Sequence, residues 1–292
     1  MQKKARLVLD ERAILGEGPS WDEKTERLFW VDISGEKVHI YNPADNSNET
    51  IELERPVGAV VPREEGGAVV ALGDGFYFLN LETGETENIV RVEENEPDTR
   101  FNDGKCDPAG RFWAGTMVTG GDKPIGNLYC LDTDLTVRKM VENVTISNGL
   151  AWSPDNTTMY YIDTPTGQVV AYDYDLESGA IDNKRVVVSI PENSGNPDGM
   201  NIDAQGMIWV AHWQGYQVSR WNPETGEKLA EIKLPVERVT SCCFAGKELT
   251  DLYITTAKAG LKKEELEKQP NAGSLFKVNT GIKGSKTYQF KG

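Results

Sequence analysis

Histidine is scarce in this chain: His39 and His212 are the only two among 292 residues. Two histidines leave little room for a Ser-His-Asp triad, and no G-x-S-x-G sequence is present to expose a nucleophilic serine. The G-x-G-x-x-G and Walker A patterns of nucleotide-binding loops are also absent. If the chain is a hydrolase, we therefore expect it to use a metal ion.

Long apolar runs and an excess of positive charge are lacking too. No apolar run approaches the roughly 18 residues of a membrane span, and the opening MQKKARLVLD has no apolar core of a secretory signal. We therefore expect a cytoplasmic protein without a membrane partner. We also expect a monomer, although this does not follow from the missing segments. The 46 acidic and 31 basic residues give a net charge of −15, which repels phosphate backbones and argues against nucleic acid as a partner.

Cysteine is present only four times, without a C-x-x-C pair. The adjacent Cys242 and Cys243 cannot easily bridge each other, and two histidines are too few to complete a convincing structural zinc site. We expect buried, reduced thiols.

Six copies of a strand-and-turn repeat fill most of the chain. The turn between the first two strands begins, in successive copies, at Asp22, Pro62, Asp107, Ser153, Asp203 and Ala245. The intervals are 40, 45, 46, 50 and 42 residues, a period typical of a β-propeller. The sequence predicts an all-β, six-bladed propeller of four-stranded blades in one domain, residues 1–292. The N-terminal ARLVLDERA should pair with the last blade and close the ring, and KKEELEKQP, residues 262–270, is the one clear helix candidate.

Polar residues recur where the first strand of each repeat opens. Five residues before the aligned turns stand Glu17, Val57, Asn102, Asn148, Asp198 and Thr240. Equivalent positions in a ring point toward one axis, so four oxygen-bearing side chains would converge at one mouth of the channel. Carboxylate and amide oxygens suit a hard divalent cation.

Turn chemistry is the alternative explanation for these positions. Glu17, Asn148 and Asp198 each precede a glycine, and Asn-Gly and Asp-Gly pairs are common in turns. Glu17 fits that explanation badly, and the shared register across four repeats favours a common site.

Other candidates lie near the same mouth. Arg100 precedes Asn102 by two residues, and its guanidinium suits a substrate's oxygens better than a metal, although a surface ion pair is the alternative. The Gly-rich loop 118–126 could cover the mouth as a lid or be a surface loop. Asp103, His212 and Trp213 are weaker candidates.

Several segments resemble the senescence marker protein/gluconolactonase/luciferin-regenerating family. They are GEGPSWD, RFNDGKCDPAGRFWAGTM, ISNGLAWSPD, NPDGM with IDAQG, and TSCCFAGKEL, and the likeness runs from about Gly16 to Val278. The resemblance implies a six-bladed propeller with one divalent metal ion (Ca, Zn, Mg or Mn) at the channel mouth. It also implies hydrolysis of sugar lactones to aldonic acids.

The resemblance assigns roles to individual residues. Glu17, Asn148 and Asp198 correspond to metal ligands, and Arg100 and Asn102 correspond to substrate-contacting residues. Asp198 is then also the candidate general base. A branch of the family carries an acidic pair after GTM, whereas this chain has no acidic residue there until Asp122, so its substrate range is open.

Two other functions remain compatible with these residues. One is a non-catalytic, calcium-binding regulatory protein on the same fold, which would bind metal without turning over a lactone. The other is a promiscuous esterase or organophosphate hydrolase, which would favour a more apolar and open pocket.

Overall fold

Six antiparallel sheets of four strands each make up the protein. The computed structural model describes residues 4–94, 96, 98–120 and 123–292. In these residues, each of the six sheets places its strands side by side in sequence order, apart from the one that contains the first strand of the chain. The all-β, six-bladed propeller expected from the repeats is confirmed.

The chain begins with strand β1, Arg6–Leu9. The first blade consists of β2 Gly16–Asp22, β3 Arg27–Asp32, β4 Lys37–Asn42 and β5 Ser47–Glu52. The second consists of β6 Val57–Pro62, β7 Ala68–Leu72, β8 Gly75–Leu79 and β9 Thr86–Arg91. The third consists of β10 Thr99–Cys106, β11 Phe112–Val118, β12 Gly126–Leu131 and β13 Val137–Val144.

The fourth blade consists of β14 Ser147–Trp152, β15 Thr158–Asp163, β16 Gln168–Tyr174 and β17 Ile181–Ser189. The fifth consists of β18 Asn196–Ile202, β19 Ile208–Trp213, β20 Gln217–Trp221 and β21 Lys228–Lys233. The sixth contains β22 Val239–Ala245, β23 Asp251–Thr256 and β24 Leu275–Asn279. Helix α1, Lys263–Lys268, lies between β23 and β24, within the segment predicted to be helical.

The sixth blade is completed by the N-terminal strand. Strand β1 pairs antiparallel with β24, with Arg6 opposite Lys277 and Leu9 opposite Leu275. The sheet order is therefore β1-β24-β23-β22, so the start of the chain supplies the outer strand of the last blade. The predicted ring closure is confirmed, and it covers an edge that β24 would otherwise expose.

The first strand of each blade lies at the centre of the ring and is buried along most of its length. All seven residues of β2 and all six of β6 and β14 are buried, because these strands have a blade on each side. Apolar side chains from successive blades form the core between them, as in the cluster of Phe29 and Val31 with Val60 and Val70. Such contacts fix the central strands, and with them the side chains at their starts.

The far end of the central strands is crossed by the C-terminal segment 280–292. Ser285 N donates to Ile202 O at 3.1 Å, and Phe290 N donates to Pro62 O at 2.9 Å. Both acceptors lie at the ends of central strands, and the Phe290 ring is fully buried between blades. The starts of the central strands are thus at the opposite mouth.

The cysteines agree with the expectation from sequence. Cys106, Cys130, Cys242 and Cys243 are free and buried. Across the described residues, no helix has the length and apolar character that crossing a membrane requires.

Both histidines are buried, and burial lowers the pKa of His39 and of His212 to about 4. The unfolded chain protonates histidine near pH 6.5, so from about pH 6.5 down to about 4 it binds more protons than the folded protein. We expect stability to fall with decreasing pH in that window, by about 1.4 kcal/mol per pH unit for each histidine. The free energy of unfolding, measured with urea at pH 7, 6 and 5, should fall less steeply with decreasing pH for His39→Gln than for the wild type. Equal slopes would contradict this assignment.

Candidate metal and active site

The three metal ligands that the family resemblance predicts lie together at the mouth of the channel opposite the C-terminal segment. Glu17, Asn148 and Asp198 stand near the starts of β2, β14 and β18, and they are 2%, 4% and 5% exposed. Glu17 and Asn148 are both among the groups that shift the pKa of the Asp198 carboxyl, so the three side chains lie close together. The register shared by the repeats therefore brings these three side chains into one cluster.

A break in strand register lies at each of these positions, and at Asp198 it falls between Pro197 and Met200. The pairing of β2 with β3 shifts between Glu17 and Ser20, and that of β14 with β15 shifts between Asn148 and Leu150. Gly149 has φ +28°, and a Cβ there would approach Asp198 O to 2.9 Å. The Glu-Gly, Asn-Gly and Asp-Gly pairs are thus not hairpin turns; they lie at bulges inside the central strands, where glycine permits close approach between blades.

The carboxyl groups in this cluster repel one another. Burial first, and then the charges of Asp198 and Asp103, raise the pKa of Glu17 well above its usual range. Burial and the charge of Asp103 likewise raise the pKa of Asp198. Glu17, Asp103 and Asp198 are buried close together, so their ionised forms are unfavourable unless a cation offsets their negative charge.

Asp103 was only a weak candidate from the sequence, and its conformation sets it apart. It is 3% exposed and has φ +48°, at the bulge of β10. Its Oδ1 accepts a hydrogen bond from Gly104 N at 2.8 Å, and burial raises the pKa of its carboxyl. The aligned position holds glycine in four of the other blades, so the exception at Asp103 was already visible in the sequence.

The amide of Asn148 supplies an oxygen without a hydrogen-bond partner. Its Nδ2 donates to Thr164 Oγ1 at 3.0 Å, whereas its buried Oδ1 has no partner among the described residues. A buried carbonyl oxygen in this state is costly unless a ligand satisfies it. Together with the Glu17 and Asp198 carboxylates it makes a donor set that fits a hard divalent cation.

This donor set differs from a metal site built from His, Cys, Asp and Glu side chains alone. The described residues contain no group of three or more His, Cys, Asp or Glu side chains arranged to hold a metal ion. The cluster at the mouth combines two carboxylates with an amide oxygen.

Asn102 and Arg100 lie beside the cluster and bind each other. Arg100 Nη1 donates to Asn102 Oδ1 at 3.0 Å and to Phe101 O at 2.9 Å, and Asn102 Nδ2 donates to Ser147 O at 2.8 Å. The Asn102 oxygen already accepts a hydrogen bond from Arg100, whereas the Asn148 oxygen has no partner among the described residues. This difference distinguishes Asn102 from the three predicted ligands.

The charge of Arg100 is poorly compensated. Burial lowers its pKa to about 10, although the charge of Glu17 partly opposes this shift. None of the ion pairs formed within the described ranges includes Arg100. Its other N–H groups are therefore available to oxygen atoms of a ligand.

The two remaining aligned positions present no oxygen to the cluster. Val57 belongs to the apolar core between blades. The Thr240 hydroxyl donates to Gly16 O and so ties the sixth blade to the first. Both residues are structural at positions where the other four blades hold Glu, Asn or Asp.

His212, Trp213 and the loop 118–126 are the remaining candidates from the sequence. His212 contacts Ser219 on the third strand of its blade, away from the central strands, and the Arg238 guanidinium stacks on Trp213 at 4.7 Å from the ring centre. Of the loop 118–126, Gly121 and Asp122 lie outside the described residues, so the lid remains a prediction.

Two aspartates that the sequence analysis did not single out fix the chain just before two of the predicted ligands. Asp32 accepts hydrogen bonds from Ile14 N and Leu15 N at 2.8 and 2.9 Å, just before Glu17. Asp163 accepts them from Thr145 N and Ile146 N at 3.1 and 2.9 Å, just before Asn148. Each aspartate follows its predicted ligand by the same number of residues, a regularity that the aligned repeats contain.

Comparison with known proteins assigns a family to this arrangement. Residues 15–258 match the family described as SMP-30/Gluconolactonase/LRE-like region. The chain belongs to this family. Regucalcin of Danio rerio is 44% identical over 292 residues, covering 99% of both chains, and YvrE of Bacillus subtilis (strain 168), named as a candidate sugar lactone lactonase, is 40% identical over 288 residues, again covering 99% of both.

Solved structures of family members share the fold. A luciferin-regenerating enzyme superposes with a TM-score of 0.90 at 34% identity, covering 96% of both chains. A calcium-binding protein, regucalcin from Agrobacterium tumefaciens str. C58, superposes with a TM-score of 0.94 at 26% identity, covering 99% of this chain and 97% of that one. The family expected from the sequence motifs is confirmed.

Proposed function

We propose that this protein is a divalent-metal-dependent sugar lactonase that hydrolyses aldonolactones to aldonic acids. The observation that carries the proposal is the buried Asn148 Oδ1, unpartnered among the described residues, beside the Glu17 and Asp198 carboxyl groups. Membership of a gluconolactonase family, and the similarity to YvrE, support lactone hydrolysis as the reaction.

The proposed metal ligands are Glu17, Asn148 and Asp198. Two carboxylates offset the double charge of a calcium, zinc, magnesium or manganese ion, and the amide adds an oxygen without further repulsion. The calcium binding in the name of the Agrobacterium regucalcin supports a divalent ion in this family. Such an ion would act as a Lewis acid toward the carbonyl oxygen of the lactone.

Asp198 is the proposed general base. Its carboxylate would take a proton from the water that attacks the carbonyl carbon, and would return it to the alkoxide that leaves when the ring C–O bond breaks. The titratable groups that raise the pKa of Asp198 or bond to it in this cluster, Glu17 and Asp103, are both carboxyls.

Arg100 and Asn102 are proposed to hold the sugar. The free N–H groups of Arg100 would donate to hydroxyl or ring oxygens, and its bond to Asn102 Oδ1 keeps both side chains in place. A polar pair at the mouth suits a polyol better than the apolar substrate of an aryl esterase or organophosphate hydrolase.

We expect Arg100→Ala to raise KM for the preferred lactone by about 10- to 100-fold, the range that follows from losing hydrogen bonds to a charged group. The kcat should change much less, because the proposed role of Arg100 is to bind the sugar and not to transfer a proton. Steady-state kinetics of Arg100→Ala and of the exposed-surface control Arg185→Ala test this. An unchanged KM on every lactone tested would remove Arg100 from the site.

A substrate panel tests the proposed reaction. Gluconolactone, xylonolactone and related lactones, together with phenyl acetate and paraoxon, are assayed by pH-stat with each divalent ion. We expect turnover of aldonolactones to exceed that of the other two classes. Metal binding without turnover of any lactone would favour a calcium-binding regulatory protein, and faster turnover of the aryl ester or organophosphate would favour the other hydrolase.

A further inference from the structure

Thr164 lies between two of the proposed ligand strands. It begins a 3-10 turn, Thr164–Thr166, directly after β15 of the fourth blade. Its Oγ1 donates to Pro197 O at 2.9 Å, and Pro197 immediately precedes Asp198 in the fifth blade. Asn148 Nδ2 lies 3.0 Å from the same hydroxyl oxygen.

The Thr164 hydroxyl can donate only one hydrogen bond, and it donates that bond to Pro197 O. A threonine hydroxyl has a single hydrogen, and a backbone carbonyl can only accept, so that hydrogen is committed to Pro197 O. Toward Asn148, Thr164 Oγ1 can therefore only accept. The Asn148 amide must present its Nδ2 to Thr164, which turns Oδ1 away from it.

We propose that Thr164 is a positioning residue that orients the Asn148 amide so that its oxygen, rather than its nitrogen, faces the metal. This inference rests on the proposed metal site. Glu17 and Asp198 need no comparable partner, because a carboxylate presents an oxygen in either orientation. An amide in the reversed orientation would present N–H groups to the cation and repel it.

The contrast with Asn102 supports this role. Asn102 occupies the aligned position in the third blade, but its Oδ1 accepts from Arg100 and its Nδ2 donates to Ser147 O. Its amide is thus oriented by other partners, with its oxygen already occupied. The two asparagines differ in what they can bind because their neighbours differ.

Metal titration of four proteins tests the proposal. Isothermal titration calorimetry with CaCl2, repeated with MnCl2, is run on the chelator-treated wild type, Thr164→Val, Thr164→Ser and Thr166→Val. We expect Thr164→Val to weaken affinity by about 10- to 100-fold, the range found for residues that orient metal ligands. Thr164→Ser should bind nearly as the wild type does, and so should Thr166→Val, a control from the same turn whose hydroxyl donates to Asp163 O.

A double-mutant cycle separates orientation from general support of the fold. In an Asn148→Asp background the ligand is a carboxylate, so we expect Thr164→Val to change affinity there by less than about threefold, well below its effect beside an amide. An equal loss in both backgrounds would overturn the proposal, because Thr164 would then act only on the structure. Thermal unfolding of the metal-free variants verifies that each is folded.

The outcomes also separate this inference from the proposed function. Wild-type binding with unchanged affinity in Thr164→Val would overturn the role of Thr164 and leave the metal site intact. No binding of either ion by the wild type would overturn both.

Discussion

Asp198→Asn should lower kcat for the preferred lactone by about 100- to 10,000-fold, the range contributed by a general base. Asparagine keeps the size of the side chain and one oxygen, but its amide cannot take a proton from water. The fall should persist at metal concentrations that saturate the variant, because the missing function is proton transfer. Discontinuous or pH-stat assays compare the kcat of Asp198→Asn with that of the wild type, and elemental analysis verifies the metal occupancy of both.

Loss of folding should not explain this result. Asp198 is buried with Glu17 and Asp103, and removing one of three mutually repelling carboxyl groups relieves that repulsion. We expect metal-free Asp198→Asn to unfold at a temperature no lower than that of the metal-free wild type. Asp182→Asn, at an exposed strand position, is the matched control. A fully metal-loaded Asp198→Asn protein with turnover within tenfold of the wild type would refute Asp198 as the base.

Glu17→Gln should act mainly on metal affinity. Glutamine retains an oxygen at the same place but removes a negative charge from a buried donor set. Breaking a buried charge pair costs about 3–5 kcal/mol, so we expect affinity to fall by about 100- to 1,000-fold or more. Calorimetry with CaCl2 and MnCl2 measures the loss.

The kinetic behaviour of Glu17→Gln should differ from that of Asp198→Asn. Turnover should recover substantially when the ion is raised to saturation, because Asp198 is still present. Glu49→Gln, in an exposed ion pair of the same blade, is the control and should leave affinity unchanged. Wild-type affinity in Glu17→Gln would remove Glu17 from the ligand set.

The fold and the cluster at the mouth follow from patterns that recur along the chain. The aligned turns set the number of blades, and the same alignment singles out Glu17, Asn102, Asn148 and Asp198, because the equivalent positions of a ring converge. The family resemblance then separates Asn102 from the other three. The strand-like opening segment predicted the closure of the sixth blade, which β1 confirms. These features depend on local periodicity, which a sequence displays directly.

The orientation of the two amides could not be read from the sequence. Asn102 and Asn148 are the same residue at equivalent positions, yet one oxygen accepts from Arg100 and the other has no partner among the described residues. The difference arises from contacts across blades, above all the bond from Thr164 to Pro197 O, 33 residues away. Similarly, the path of the C-terminal segment depends on single hydrogen bonds to several blades and leaves no periodic signal.

Restoration of activity by metal is the most direct test of the central claim. The wild type is stripped with a chelator and dialysed, its metal content is measured, and hydrolysis of the preferred lactone is followed by pH-stat as the ion is added back. We expect turnover to be lost on stripping and to return in proportion to occupancy, reaching its plateau at one ion per chain. Full turnover by protein shown to contain no divalent metal would contradict the account.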